Sequence, residues 1–197
     1  MRLPNPASPT APGTPSAPSG RVFLALWLPA DLAATLSGVA QALTRECGGR
    51  PSRADTLHLT LAFVGDMPPG QLDRLRVVVP ALRGTAFRLV LDRVGLWRHN
   101  GIAWAAPSVI PAPLAALRQE AQSALDLAGI PFDRRPFRPH VTLARRVERT
   151  LRAPPDLGEL GWDVSELVLV RSGRDARGAA RYDVLATCAL EESPRTP

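Results

Sequence analysis

The sequence predicts an α+β protein: a bilobal, pseudo-twofold fold of two mainly antiparallel sheets flanked by helices, with two related strands facing a central cleft. Three observations carry that prediction. The string His58-Leu59-Thr60-Leu61-Ala62 returns 82 residues later as His140-Val141-Thr142-Leu143-Ala144, and such self-similarity points to two related halves. Strand patterns and helix patterns interleave in an irregular order, and consecutive strands are joined by short turns, as antiparallel pairing requires. Finally, two of the three histidines in the chain open the repeated string, so the halves share their polar residues as well as their apolar ones.

A chain of 197 residues with 45% hydrophobic and 21% charged residues is long enough for one domain with a sizeable core. Residues 1–20, rich in Pro, Ala, Ser and Thr, bury too little apolar area to offset ordering entropy and are expected to be a disordered leader. The folded domain is expected over residues 21–190, in two lobes, with a polar disordered tail at 191–197. An apolar run follows Arg21, but Pro29 and Asp31 cut it short, so neither a signal peptide nor a membrane span is expected. Every one of the 24 basic side chains is Arg, and the net charge of +6 favours an anionic partner such as RNA. Cys47 and Cys188 are far apart in sequence and fit neither a disulfide framework nor a zinc site, which suggests a cytoplasmic, monomeric protein with reduced thiols.

Taken in order, Val22 to Leu28 is a continuous apolar run that predicts a buried first strand. Pro29 opens a helix with Leu32, Leu36, Val39 and Leu43 on one stripe, stopped by Gly48-Gly49. Thr56 to Val64 is the first motif strand. After a turn at 65–70, Leu72, Leu75, Val79 and Leu82 predict a second helix ending at Gly84. Phe87 to Val94 alternates as one half-exposed strand, and Asn100-Gly101 predicts a type I′ hairpin into a strand from Ile102 to Ala105. Pro111 to Ala128 is the clearest helix, with Leu114, Leu117, Ala121 and Leu125 inward. The second motif strand runs from Pro139 to Val147, a polar connection covers 148–161, and two strands, Trp162 to Ser172 and Arg181 to Leu190, close the chain.

Side chains on a strand alternate between faces, so His58 and Thr60 share one face while Leu59 and Leu61 take the other. His140 and Thr142 divide in the same way from Val141 and Leu143. Two imidazoles and two hydroxyls meeting across a cleft suit phosphodiester chemistry. One neutral imidazole takes a proton from water, a protonated one gives a proton to the leaving oxygen, and the hydroxyls donate to phosphate oxygens. Two histidines without a nearby third ligand are too few for a metal site, so no metal and no cofactor are expected.

The segments HLTLAFVG (58–65) and RPHVTLAR (138–145) resemble the paired motifs of the 2H phosphoesterase superfamily, above all its bacterial RNA 2′,3′-cyclic phosphodiesterase family, also called LigT-like or 2′-5′ RNA ligase-like. The resemblance extends over about residues 21–190. It implies opening of RNA 2′,3′-cyclic phosphate ends to 2′-phosphates without a cofactor, with weak reverse 2′-5′ ligation. His58 and His140 become the catalytic pair, and Thr60 and Thr142 the phosphate-binding hydroxyls. His58 is favoured as acid and His140 as base, although either assignment fits the sequence. Arg145 stands where the family's second motif carries an Arg and is the expected phosphate clamp, yet strand parity points it to the wrong face unless a bulge or the strand's end intervenes. Phe63 holds the corresponding place in the first motif; it, Phe137 and Trp104 are candidates for base stacking, and Arg138 and Arg135 for guiding RNA. His99 reads as a surface residue. A small cyclic nucleotide or cyclic ADP-ribose phosphate as substrate, or a non-catalytic RNA-binding module, remain the alternatives.

Overall fold

A computed structural model describes residues 20–192 apart from Arg152, Ala176 and Arg177. All but Gly20 of the expected leader, and residues 193–197 of the expected tail, lie outside the described residues. In chain order the elements are β1 (Val22–Trp27), α1 (Ala30–Cys47), β2 (Arg50–Pro51), β3 (His58–Gly65), α2 (Pro69–Val78), β4 (Phe87–Leu91), β5 (Arg93–Trp97), β6 (Ile102–Ala106), α3 (Ala112–Leu127), β7 (Val141–Arg145), β8 (Leu160–Val164), β9 (Glu166–Arg174) and β10 (Ala180–Ala189). Every ladder within these sheets is antiparallel, as the α+β expectation requires.

The larger sheet runs β10-β9-β1-β3-β7-β6-β5, with β2 also beside β7, and β4-β8 forms a separate two-stranded sheet. β3 and β7 pair only at Leu59 and Val141. That single junction divides the large sheet into two lobes, β10-β9-β1-β3 and β7-β6-β5 with β2. Each motif strand is therefore the inner strand of its lobe.

The helices form where periodicity places them. α1 buries Leu32, Leu36, Ala40 and Leu43, with Val39 only partly covered, and stops at Gly48, whose φ of 76° is a left-handed conformation that glycine adopts freely. α3 buries Leu114, Leu117, Ala121 and Leu125 and starts after Pro111. α2 is shorter than its apolar spacing suggests, because Pro80 lacks an N–H and the chain tightens into a 3-10 turn over Val79–Ala81.

Three expected strand features change. The expected strand from Phe87 to Val94 is two: β4 pairs β8, and after Asp92 the chain turns so that β5 pairs β6. Asp92 fixes the break by accepting the Ser108 backbone N–H at 2.7 Å and the Ser108 hydroxyl. The strand from Trp162 breaks likewise at Ser165, sending β8 to the small sheet and β9 to the large one. The type I′ hairpin is replaced by a four-residue loop, since Trp97 pairs Ile102 and only Gly101 of that loop has positive φ. At the chain's far end, Glu191 bonds through its backbone to Gly84 and Ala86.

Candidate active site

The two motifs are brought together by their own strands. Carrying the Leu59–Val141 register one residue in each direction sets His58 across from Thr142 and Thr60 across from His140, all four on the face opposite the core. Leu59, Leu61, Val141 and Leu143 are fully buried on the other face, which fixes this orientation.

Both rings are oriented in the same manner. His58 Nδ1 lies 2.7 Å from the Thr56 carbonyl and His140 Nδ1 lies 2.7 Å from the Arg138 carbonyl, two residues back in each case. A carbonyl only accepts, so Nδ1 carries a hydrogen in both rings. The neutral ring then exposes a lone pair at Nε2, and the protonated ring exposes an N–H there.

The two motif strands share a second device, a bulge at the leucine of each H-x-T-L-A string. Across β1 and β3, Ala25 pairs Thr60 but Leu24 pairs Ala62, leaving Leu61 extra. Across β6 and β7, Trp104 pairs Thr142 but Ala103 pairs Ala144, leaving Leu143 extra. An extra residue reverses the parity of the residues directly after it. Leu61 and Ala62, like Leu143 and Ala144, are consecutively buried, and the next residues, Phe63 and Arg145, come out on the working face. The bulge resolves the parity difficulty for Arg145. The bulge carbonyls are satisfied by different donors: Leu61 O accepts from the Arg118 guanidinium, and Leu143 O accepts the Ser52 N–H at 2.7 Å.

Burial disfavours the protonated form of both histidines. His58 is pushed down to about 4, chiefly by desolvation, against the opposing hydrogen bond to Thr56, and further by the charges of Arg145 and His140. His140 is lowered by burial and by Arg145, again opposed by its backbone hydrogen bond. Arg145 thus projects its field onto both rings.

The surroundings of the rings differ. The His58 ring stacks on Trp27 (centroids 5.1 Å apart, 10° between planes) and on Phe23 (4.9 Å, 24°), with Tyr182 edge-on at 5.5 Å. His140 meets Trp97 edge-on at 4.6 Å. Sequence reasoning missed this aromatic packing because the uninterrupted apolar run of β1 hides its alternation. Val22, Leu24 and Leu26 belong to the main core, whereas Phe23, Ala25 and Trp27 lie on the face with His58.

Among the other candidates, Phe63 joins the aromatic cluster on the His58 side, and Trp104 pairs across strands with Thr142 and with Gly95, where a Cβ would lie 2.2 Å from the indole. Phe137 is instead packed against the core and covered by the Arg118 guanidinium, 4.4 Å from its ring centroid. Arg135 is ion-paired with Asp133, which engages the charge expected to guide RNA. The Arg138 side chain is exposed, and its carbonyl is the group that orients His140. His99 is exposed. Among the described residues no group of three or more His, Cys, Asp or Glu is arranged to hold a metal ion, and no helix is long and apolar enough to cross a membrane.

A two-lobed antiparallel fold with one H-x-T strand on the inner side of each lobe defines the class of two-motif phosphoesterases. The chain belongs to the LigT-like phosphoesterase family, whose profile matches it twice, over residues 26–104 and 105–178. It is 32% identical to the RNA 2′,3′-cyclic phosphodiesterase of Escherichia coli K12 over 87% of this chain and 97% of that protein. The Thermus thermophilus protein of the same name is 33% identical, over 86% and 90% respectively. The crystal structure of E. coli LigT complexed with 3′-AMP superposes with a TM-score of 0.79 at 32% identity, covering 87% of this chain and 98% of that one.

Proposed function

We propose that this protein hydrolyses the 2′,3′-cyclic phosphate ends of RNA to 2′-phosphate ends, with His58 and His140 as its acid–base pair and without a metal. The observation that carries this reading is the matched presentation of two Nε2 atoms at the one point where the motif strands join. Family membership and the names of the E. coli and Thermus relatives support the substrate class. The 3′-AMP bound to E. coli LigT supports a nucleotide-sized site.

In the proposed step His140 Nε2 takes a proton from water as the water oxygen bonds to phosphorus. The bond from phosphorus to O3′ breaks, and His58 Nε2–H gives its proton to O3′, leaving a 2′-phosphate and a 3′-hydroxyl. Thr60, Thr142 and Arg145 donate to the non-bridging oxygens, where charge grows. Because burial and Arg145 keep His58 neutral in the free enzyme, the bound phosphate anion supplies the charge that protonates it. Phe63 stacks the terminal base, and Arg138 meets the approaching strand. With a 5′-hydroxyl in place of water as the nucleophile, the same two transfers join a cyclic phosphate to that hydroxyl, with O3′ again leaving, as a weak 2′-5′ ligation. Cys47 and Cys188 are buried free thiols, in keeping with a monomer working in a reducing cytoplasm.

The test is a short RNA ending in 2′,3′-cyclic phosphate, incubated with excess EDTA, with the product ends identified. Conversion to 2′-phosphate is expected. No turnover, or turnover only on adding a divalent metal, contradicts the proposal.

A further inference from the structure

β2 is only two residues long, and its placement is unusual in charge. Arg50 sits directly opposite Arg145 in the β2–β7 pair, so the two side chains leave the same face. Like charges directly opposite each other destabilise a ladder. Both are exposed, and neither makes an ion pair among the described residues. The next residue, Arg146, is the one described non-glycine residue with a positive φ, 56°, and it too has no ion pair there. By contrast, Arg53 pairs with Asp55, and Arg171 and Arg181 share Asp183.

The local backbone holds the uncompensated pair in place. A Cβ on Gly49 would lie 2.8 Å from the Arg145 carbonyl and 2.9 Å from that of Arg146, so only glycine lets β2 come this close to the end of β7. Ser52 completes the clasp, its N–H bonding Leu143 O and its hydroxyl bonding Thr142 O, both at 2.7 Å. The same β7 end delivers Arg145 to the working face through its bulge. Two facing guanidiniums that make no ion pair among the described residues, beside the phosphate site, match a second anion.

We propose that Arg50, together with Arg145, forms a second phosphate subsite that holds the phosphodiester one nucleotide inward from the reacting end of an RNA. The strand would leave the catalytic pair across β7 and β2, over the lobe that carries His140. This rests on the cyclic phosphodiesterase reading, and it makes the enzyme a processor of polynucleotide ends with lower efficiency on mononucleotides.

Two substrates decide it: a nucleoside 2′,3′-cyclic phosphate and a dinucleotide ending in the same cyclic phosphate. The wild type should favour the dinucleotide in kcat/KM by about tenfold or more, mainly through KM. Arg50→Gln should collapse that preference, and the salt dependence of dinucleotide binding should lose about one unit of slope. Arg88→Gln, at an exposed arginine on β4 of the separate small sheet, serves as control and should keep the preference. A wild type without preference, or an Arg50→Gln variant that retains it, overturns the subsite. Affinities for the matching 2′-phosphate products are measured in parallel. If neither substrate turns over, the phosphodiesterase reading fails on its own, and the ratio of product affinities still decides on Arg50.

Discussion

The two motifs share a backbone and differ in what surrounds it. In each, the histidine donates from Nδ1 to the carbonyl two residues back, a buried leucine bulges out of register, and the residue after the next alanine emerges beside the site. In the first lobe that emergent residue is Phe63, and the histidine is enclosed by Phe23, Trp27 and Tyr182. In the second it is Arg145, with Arg50 alongside. A duplicated scaffold has been given an apolar wall on one side and a cationic one on the other. A terminal nucleotide has the same polarity, a flat base at one end and a phosphate at the other.

The largest effects should come from what the lobes share. His58→Ala and His140→Ala should each lower kcat/KM on a cyclic-phosphate RNA by about 10³-fold or more, with unchanged unfolding midpoints. Near-normal activity in either variant would break the symmetry of roles. The next effects should separate the lobes. Arg145→Met should cost about 10²-fold, expressed largely in kcat, whereas Phe63→Ala should raise KM by roughly tenfold and spare kcat. Equal kinetic signatures at the two positions would contradict the division of labour.

A smaller effect concerns the aromatic wall. Trp27→Leu opens the stack that excludes water from His58, so the His58 imidazole should titrate at higher pH than in the wild type, measured by NMR. An unmoved titration would show that the stack does not set it. The smallest effect is on stability. Both histidines have folded-state pKa values below the unfolded 6.5, so the unfolded chain binds more protons as pH falls from 6.5 toward 4. Urea stability should therefore fall on acidification through that window, by at most about 1.4 kcal/mol per pH unit for each histidine, and the slope should lessen in His58→Gln. A flat profile between pH 6.5 and 5 would contradict the buried, neutral state of the pair.

Much of this was legible in the residues. The repeated string located both inner strands, and period-two alternation separated His58 and Thr60 from Leu59 and Leu61. Helical periodicity located α1 and α3, since their inward stripes are long and uninterrupted. What escaped was decided by pairing partners rather than by pattern. Asp92 and Ser165 divide apolar runs that look continuous, because the halves of each run join different sheets. Asn100-Gly101 has the composition of a tight turn, but the Trp97–Ile102 pair fixes a four-residue loop. Strand parity alone points Arg145 to the wrong face, so its place as a clamp required a bulge or the strand's end, and the register puts that bulge at Leu143. Phe137 has the composition of a stacking residue, but Arg118 covers it while also bonding Leu61 O, a contact between α3 and the first motif that no local pattern encodes.

The central claim is that two similar motifs make one active site, and the double variant tests it most directly. Kinetics of His58→Ala, His140→Ala and the two combined are measured on one RNA with a 2′,3′-cyclic phosphate end. If the imidazoles act in a single step, the double variant should be at most about tenfold slower than the worse single variant, because either loss already removes concerted proton transfer. Losses that multiply in full would show two histidines acting independently, and would contradict the account.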